Sequence, residues 1–575
     1  MDFKWNYSPL TQQQSKEANE LAKELNISPI LGSLLIKRGI KNKEEADHYF
    51  NPQISELHDP FSMNDMDVAV DRLDRALSEN ERIMVYGDYD VDGTTAVALV
   101  YNFLKQFTGN IEYYIPDRYE EGYGVSFKGV DTAAQNGVKL VIVLDCGIKA
   151  VKQIAYAVEK GIDFIVCDHH VPDDILPPAV AILNAKRVDS TYPYSHLSGC
   201  GVGFKFMQAF AIQNGVPFDN LFSLLDLVAV STTSDIVPIM GENRVLTYYG
   251  MKQLNSNPTT GLKAIIDVCG LAGKQVTIND IIFKIGPRLN AAGRVRTGMD
   301  AVALLVESDY GRARFLSEEI DRNNEKRKEL DKVITNQANH IVDSLGDLSD
   351  RHSIVLYNEN WHRGVIGIVA SRLTEKYCLP TVVLTKSGDM ATGSARSVGG
   401  FDLYKAISSC KDLLDNFGGH TYAAGLLLDI KNVPLFKDRF EQYVAAHIKS
   451  EQIEPTIDID LEVCFDDISP KLFDDLKRFM PFGPDNPKPV FCTRNVYDYG
   501  TSKVVGRSGE HIKFELIDNR AGKVMNGIAF GFGKTGQAKL IKTKKSFDIC
   551  YTIEENTYHT HDVQLQIEAI RAHND

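Results

Sequence analysis

The hydrophobic pattern of this chain changes rhythm several times, and each change marks a piece of architecture. Residues 1 to about 60 read as helical, with an apolar docking segment at Ile30-Leu31-Gly32-Ser33-Leu34-Leu35-Ile36-Lys37-Arg38-Gly39. From about 80 to 240, short β-rich runs alternate with helical patterns: Ile83–Tyr86, Ile111–Ile115, Leu140–Leu144, Phe164–Cys167 and Val180–Leu183. That alternation predicts a parallel α/β sheet covered by helices. Between about 309 and 343 a charged stretch carries apolar residues at Ala313, Leu316, Ile320, Leu330, Ile334, Ala338 and Ile341. The stripe predicts one helix, about 50 Å long at 1.5 Å per residue, packed along one face and joining two lobes across a cleft. Ser353-Ile-Val-Leu-Tyr357 and Thr381-Val-Val-Leu384 then predict a second, smaller α/β domain ending near 450.

From 456 onward the pattern becomes alternating, as in Pro489–Tyr497, His511–Ile517 and Asp548–Ile553, and predicts a small β-barrel. Pattern alone leaves open whether it binds oligonucleotides or only adds structure. The expected division is 1–60, 61–260, 261–345, 346–452 and 453–575.

Composition narrows the picture a little. Hydrophobic residues at 43% and charged residues at 24% over 575 positions are those of an ordinary globular protein of several domains. No apolar run reaches the roughly 18 residues of a membrane span, and the first residues lack the basic and apolar regions of a signal peptide, so a cytoplasmic location without membrane contact is expected. Nine cysteines with no C-x-x-C pair suit reduced thiols. A net charge of -14 excludes a globally basic nucleic-acid footprint, so any such site must be a local basic channel.

The chemistry starts at Tyr86-Gly-Asp-Tyr-Asp-Val-Asp-Gly93, where Asp88, Asp90 and Asp92 crowd the end of the first predicted strand. Three carboxylates so close repel one another unless a hard cation neutralises them. An EF-hand loop also begins D-x-D-x-D-G, but it needs a Glu at its twelfth position and a helix before it; here Leu99 and a strand stand there. Capping the next helix, expected to begin near Gly93, would take only one of the acids. Further acids follow later elements: Asp145 after Leu140–Leu144, Asp168-His169-His170 after Phe164–Cys167, and Asp235 after the apolar helical stretch Leu224–Val230. Ligands of parallel sheets sit beyond the carboxyl ends of the strands, so these groups form one inventory. Carboxylates with one imidazole favour two Mn²⁺ or Mg²⁺ ions over structural zinc.

Taken together, Gly87-Asp-Tyr-Asp-Val-Asp-Gly93, Asp145-Cys-Gly147, Asp168-His-His170 and Ser234-Asp-Ile-Val-Pro238 resemble the DHH phosphoesterase superfamily. Pro287-Arg-Leu-Asn-Ala-Ala-Gly-Arg294, Trp361–Gly367, Gly393-Ser-Ala-Arg396 and Gly418–Gly425 extend the resemblance over most of the chain. It is closest to the superfamily's single-strand-specific exonucleases. The resemblance implies a DHH domain joined by the long helix to a DHHA1-like α/β domain, with an oligonucleotide-binding (OB-like) barrel at the end. It implies that Asp145 bridges two metal ions, that Asp90 serves one with Asp88 completing its shell, and that Asp92, His169 and Asp235 serve the other. In relatives that hydrolyse pyrophosphate a histidine stands in place of Tyr86, and the Ser231-Thr-Thr-Ser234 stretch is more polar than the family pattern leads one to expect.

His170 is then expected to hydrogen-bond the phosphoryl oxygen or donate a proton to the leaving group, with Asp168 orienting a histidine. Arg288, Asn290 and Arg294 on one side, and Ser394, Arg396 and His420 among glycines on the other, are expected to hold phosphates; Arg118 and Tyr123 pair a cation with a stacking ring. The implied function is a metal-dependent exonuclease that degrades single-stranded DNA from its 5′ end to mononucleotides in repair and recombination. The implied partners are a single-strand-binding protein and a RecQ-type helicase. A phosphodiesterase of short oligonucleotides or cyclic dinucleotides, and a replication scaffold without catalysis, are the competing readings. The segment after 456 argues against the first and the complete acid set against the second.

Overall fold

The computed structural model describes residues 3–346, 348, 350–535, 538, 545–556 and 563–573. Contacts divide the chain into two compact units: Gln53–Lys449 with Gly483–Asp485, and Met1–Pro52 with Ser450–Phe482 and Asn486–Asp575.

The larger unit opens with five strands, β1 (Ile83–Gly87), β2 (Ile111–Tyr114), β3 (Leu140–Leu144), β4 (Asp163–Cys167) and β5 (Ala181–Leu183). They form one parallel sheet in the order β2-β1-β3-β4-β5. Every residue of β1 and β3 is buried, as strands covered on both faces require. Helices α1 (Val91–Leu104), α2 (Gly199–Gln213) and α3 (Leu225–Ser234) belong to the same lobe. Helix α1 starts two residues before the expected Gly93, because Asp90 caps it by accepting from the Gly93 amide at 3.1 Å.

Helix α4 (Gly286–Val295) carries the Pro287–Arg294 motif and lies against α5 (Tyr310–Ser344), the connector helix. Ala313, Ile320, Ile334 and Ala338 are buried along α5, but so are Asn323, Asn324 and Asp331; Leu316, Leu330 and Ile341 are only half-buried. The middle of the connector therefore packs polar groups inward, and Asp331 accepts from Arg372 at 2.7 Å. Beyond it, β6 (Ile354–Tyr357), helix α6 (Ile366–Tyr377), β7 (Thr381–Ser387), β8 (Met390–Arg396), β9 (Asn416–Gly419) and β10 (Ala423–Asp429) build a second lobe. Its sheet runs β9-β10-β8-β7-β6, parallel only between β6 and β7, and the register sets Ser394 opposite Gly425 and Arg396 opposite Ala423.

In the other unit, Phe491–Asp498, His511–Asp518, Val524–Ala529, Phe547–Glu555 and Val563–Ala572 close into a five-stranded barrel through the extra pairing of the first two. The N-terminal segment contains three helices, Gln12–Leu25, Pro29–Lys37 and Lys43–Phe50, and also a strand, Lys4–Tyr7. That strand pairs in parallel with Thr456–Ile459, and Arg38 donates to Asn486 at 2.9 Å, which fastens the segment within this unit.

Candidate active site

The acids gather where the parallel sheet ends. Asp88 follows β1, Asp145 follows β3 and Asp168-His169-His170 follows β4, while Asp235 terminates α3. His169 Nε2 lies 3.1 Å from Asp145, 3.6 Å from Asp235 and 3.8 Å from Asp92. Asp92, His169 and Asp235 offer ligand atoms within 4.8 Å of one another, and so do Asp145, His169 and His170.

Local backbone geometry forces this convergence. Asp145 has φ +59, and Ile236, next to Asp235, has φ +58; such left-handed conformations are rare for residues with a Cβ and cluster at functional sites. A Cβ on Gly199 would meet Asp145 Cβ at 2.5 Å, so the start of α2 can close over Asp145 only as glycine. Asp92 is held from the same helix end: its carboxylate accepts from the Gly199 and Cys200 amides at 2.6 and 2.8 Å and from the Ser231 hydroxyl at 2.6 Å. The polar Ser231–Ser234 stretch thus has a job, since an apolar residue at 231 would leave that oxygen short of a donor.

The charges show what this cluster requires. Burial, followed by the neighbouring carboxylates, pushes Asp88, Asp90, Asp145 and Asp235 up from the ordinary range, and burial pulls His169 down. Both oxygens of Asp88 and both ring nitrogens of His169 are buried and make no well-aligned hydrogen bond among the described residues. Oxygen-rich, anionic and under-satisfied, this donor set fits hard divalent cations; Asp92, Asp145, His169 and Asp235 would hold one, with Asp88 and Asp90 beside them for a second.

Tyr86 plays no part in this. Its ring stacks on Tyr114 at 5.3 Å, and its hydroxyl donates to the Gly124 carbonyl and accepts from the Ser126 amide, all in the core.

His170 and Asp168 form a dyad. Asp168 Oδ1 lies 2.7 Å from His170 Nδ1 and also accepts the His169 and His170 amides, while Oδ2 accepts the Ile148 amide. Burial alone would raise Asp168, but the His170 hydrogen bond holds it low; burial would lower His170, yet Asp168 raises it above the usual imidazole range. Nε2 of His170 is thereby left facing the site, 3.3 Å from the Tyr123 hydroxyl, which also lies 3.1 Å from the Asp145 carbonyl. The His420 ring of the second lobe stacks on His170 with centroids 5.9 Å apart.

Three of the four expected arginines also come together. Arg118 lies 4.0 Å above the Tyr89 ring and faces Asp88 and Asp90; Arg294 feels its charge and that of Arg396. Burial first, then these neighbours, lower Arg294 to about 9. Arg396 donates to Ser394 at 3.1 Å, and a Cβ on Gly367 would sit 2.9 Å from that hydroxyl and 3.2 Å from the guanidinium. A pocket of about 380 Å³ opens here, lined by Arg294, Arg396, Arg372, Ser371 and Glu375. Arg288 is placed differently: Asp321 on α5 takes its Nε at 2.8 Å and Lys284 O its Nη1 at 2.9 Å. Asn290 is half-buried on α4.

Sequence reading passed over Asn184 and Lys186. They follow β5 as the acids follow β1, β3 and β4, which was the available signal.

Comparison with known proteins fits this geometry. Residues 82–232 match the DHH family N-terminal domain, 350–446 the DHHA1 domain and 459–569 the RecJ OB domain. A single-stranded-DNA-specific exonuclease RecJ of Salmonella typhimurium is 33% identical over 545 residues, covering 91% of this chain and 93% of the relative. This chain belongs to the RecJ family. The RecJ of Bacillus subtilis is 35% identical over 516 residues, 89% of this chain but 64% of that longer relative. Among solved structures, RecJ of Thermus thermophilus in complex with Mn²⁺ superposes with a TM-score of 0.84 at 25% identity, over 99% of this chain and 79% of that one. An exonuclease RecJ bound to manganese covers 68% of this chain and 96% of its own, at 32% identity and a TM-score of 0.59. The DHH sheet, the DHHA1 lobe and the closed OB barrel are thus the architecture of RecJ.

Proposed function

We propose that this chain is a metal-dependent exonuclease that takes single-stranded DNA from its 5′ end and releases mononucleotides, in DNA repair and recombination. The observation that carries the reading is the adjacency of two groups that need opposite charges. The buried acids around His169 repel one another unless cations lie between them, and among the described residues Arg118, Arg294 and Arg396 form no ion pair with a carboxylate within 4.0 Å. Divalent ions bound by the acids lower the pKa of water and neutralise phosphoryl charge. The arginines take the phosphate at the strand's end, offsetting the burial and then the mutual repulsion that depress Arg294. A terminal phosphate carries more charge than an internal diester, so this trio favours an end over the middle of a strand. Asp168 accepts the Nδ1 proton of His170 and raises its pKa, so the imidazolium form carries a second proton, on Nε2, for the phosphoryl oxygen or the leaving 3′ oxygen.

A RecQ-type helicase and a single-strand-binding protein fit as partners that supply unwound strand. Among the described residues no helix is long and apolar enough to cross a membrane, and all nine cysteines are free thiols, as a cytoplasmic enzyme requires. The test is single-stranded DNA labelled at either end, incubated with Mn²⁺ and resolved by product size. Mononucleotides released first from the 5′ label are expected; internal cuts or prior loss of the 3′ label overturn the reading.

A further inference from the structure

One cation at the centre has no role so far. Lys186 stands just past β5, on a loop locked to the DHH segment by Asn184. That amide is buried, donates to the His170 carbonyl at 2.9 Å and accepts the Lys186 amide at 2.7 Å. Both bonds serve the loop, so their effect is to fix where Lys186 leaves the backbone. The half-buried ammonium faces Asp235 and Asp168, and His169 and His420 feel its charge. Among the described residues no carboxylate pairs with it within 4.0 Å, whereas nearby Lys149 is paired with Asp173 at 3.0 Å. Burial pulls Lys186 below the usual lysine range, a cost that a bound anion reverses.

Its place relative to the arginines decides the ligand. Arg118 follows β2 at one edge of the parallel sheet and Lys186 follows β5 at the other, while Asp88, Asp145 and Asp168 follow the three strands between them. The acids therefore lie between two cationic groups. If one takes the terminal phosphate and the acids the scissile one, the next phosphate along falls to the other. We propose that Lys186 binds the phosphodiester following the scissile bond, on the strand the enzyme retains, with Asn184 as its positioning residue. The assignment rests on the exonuclease reading above.

The test uses the full chain, Lys186→Ala and Lys186→Arg. Two substrates are compared: a 5′-phosphorylated ten-nucleotide oligo-dT, and 5′-phosphorylated dTpdT, which has a scissile phosphate but none after it. With Mn²⁺, Lys186→Ala should raise KM for the longer strand about tenfold and leave KM for the dinucleotide within about twofold; Lys186→Arg should restore most of the loss. In EDTA, the same alanine variant should bind the longer strand with a log–log salt slope shallower by about 0.7, the value of one lost contact to single-stranded DNA. An unchanged slope, or equal loss on both substrates, overturns the assignment. Should the intact chain hydrolyse neither substrate while the slope still changes, the exonuclease reading falls and Lys186 stands as a phosphate ligand.

Discussion

Replacing Asp235 by Asn should make the metal-free protein more stable while destroying its activity. Among the described residues no amide or hydroxyl donates to this carboxylate, and its oxygen lies within 4.8 Å of a ligand atom of Asp92. At that separation and an effective dielectric of about 20, two carboxylates repel by about 3.5 kcal/mol. Asp235 keeps 28% of its side-chain exposure, so solvent screening leaves about 1–2 kcal/mol. The pH dependence follows from the direction of the shift. Burial and then Asp92 raise the folded carboxyl above its unfolded value, so the wild type loses stability as pH climbs out of the ordinary carboxylate range. The variant has no such loss. Thermal unfolding in EDTA should therefore show the variant melting a few degrees above wild type at pH 8, with the gap closing toward pH 4. Saturating Mn²⁺ should invert the order, because only the wild type keeps the full ligand set. A variant that melts at or below wild type in EDTA at pH 8 would refute the claim that these acids are held together against their repulsion.

Further substitutions separate neighbouring roles. Arg396→Ala should shallow the salt dependence of single-strand binding by about one phosphate contact, whereas Arg288→Ala should leave that slope unchanged and lower the melting temperature through loss of the Asp321 pair; anisotropy titrations and melting curves read the two. Gly199→Ala should cut turnover at least a hundredfold with little change in far-UV circular dichroism, since the new Cβ displaces Asp145; near-normal turnover would contradict the close approach. Glu242→Gln should destabilise the larger unit by about 3–5 kcal/mol in denaturant unfolding, because Lys205 is fully buried against it at 2.9 Å.

Much of this was legible in the sequence because the site obeys a topological rule: short apolar runs end in acids, and the ends of parallel strands meet. Leu140–Leu144 was bounded to the residue, and α5 to within a residue or so. What escaped depends on partners far apart in sequence. Arg288 reads as a phosphate fork until Asp321 appears on the face of another helix, and Ser231 reads as an anomaly until its hydroxyl is seen on Asp92. Tyr86 stands at a position where a ligand was conceivable, but its ring is packed on Tyr114 and its hydroxyl is taken up by the Gly124 carbonyl and the Ser126 amide. Lys4–Tyr7 is too short and mixed to register as a strand without its partner.

The pairing of Lys4–Tyr7 with Thr456–Ile459 also has a consequence for how the molecule is made. The two strands are separated by 452 residues, as Asn6 and Asp458 are, so the first emerges from the ribosome long before the second exists. At about 5–20 residues per second, the wait is roughly 20 to 90 s. All of Gln53–Lys449 is translated in that interval, so the metal-binding lobes can reach their folded state while the unit containing the barrel is still incomplete. Synthesis thus imposes an order in which Gln53–Lys449 is on hand before the first strand can meet its partner, and the barrel strands follow last of all.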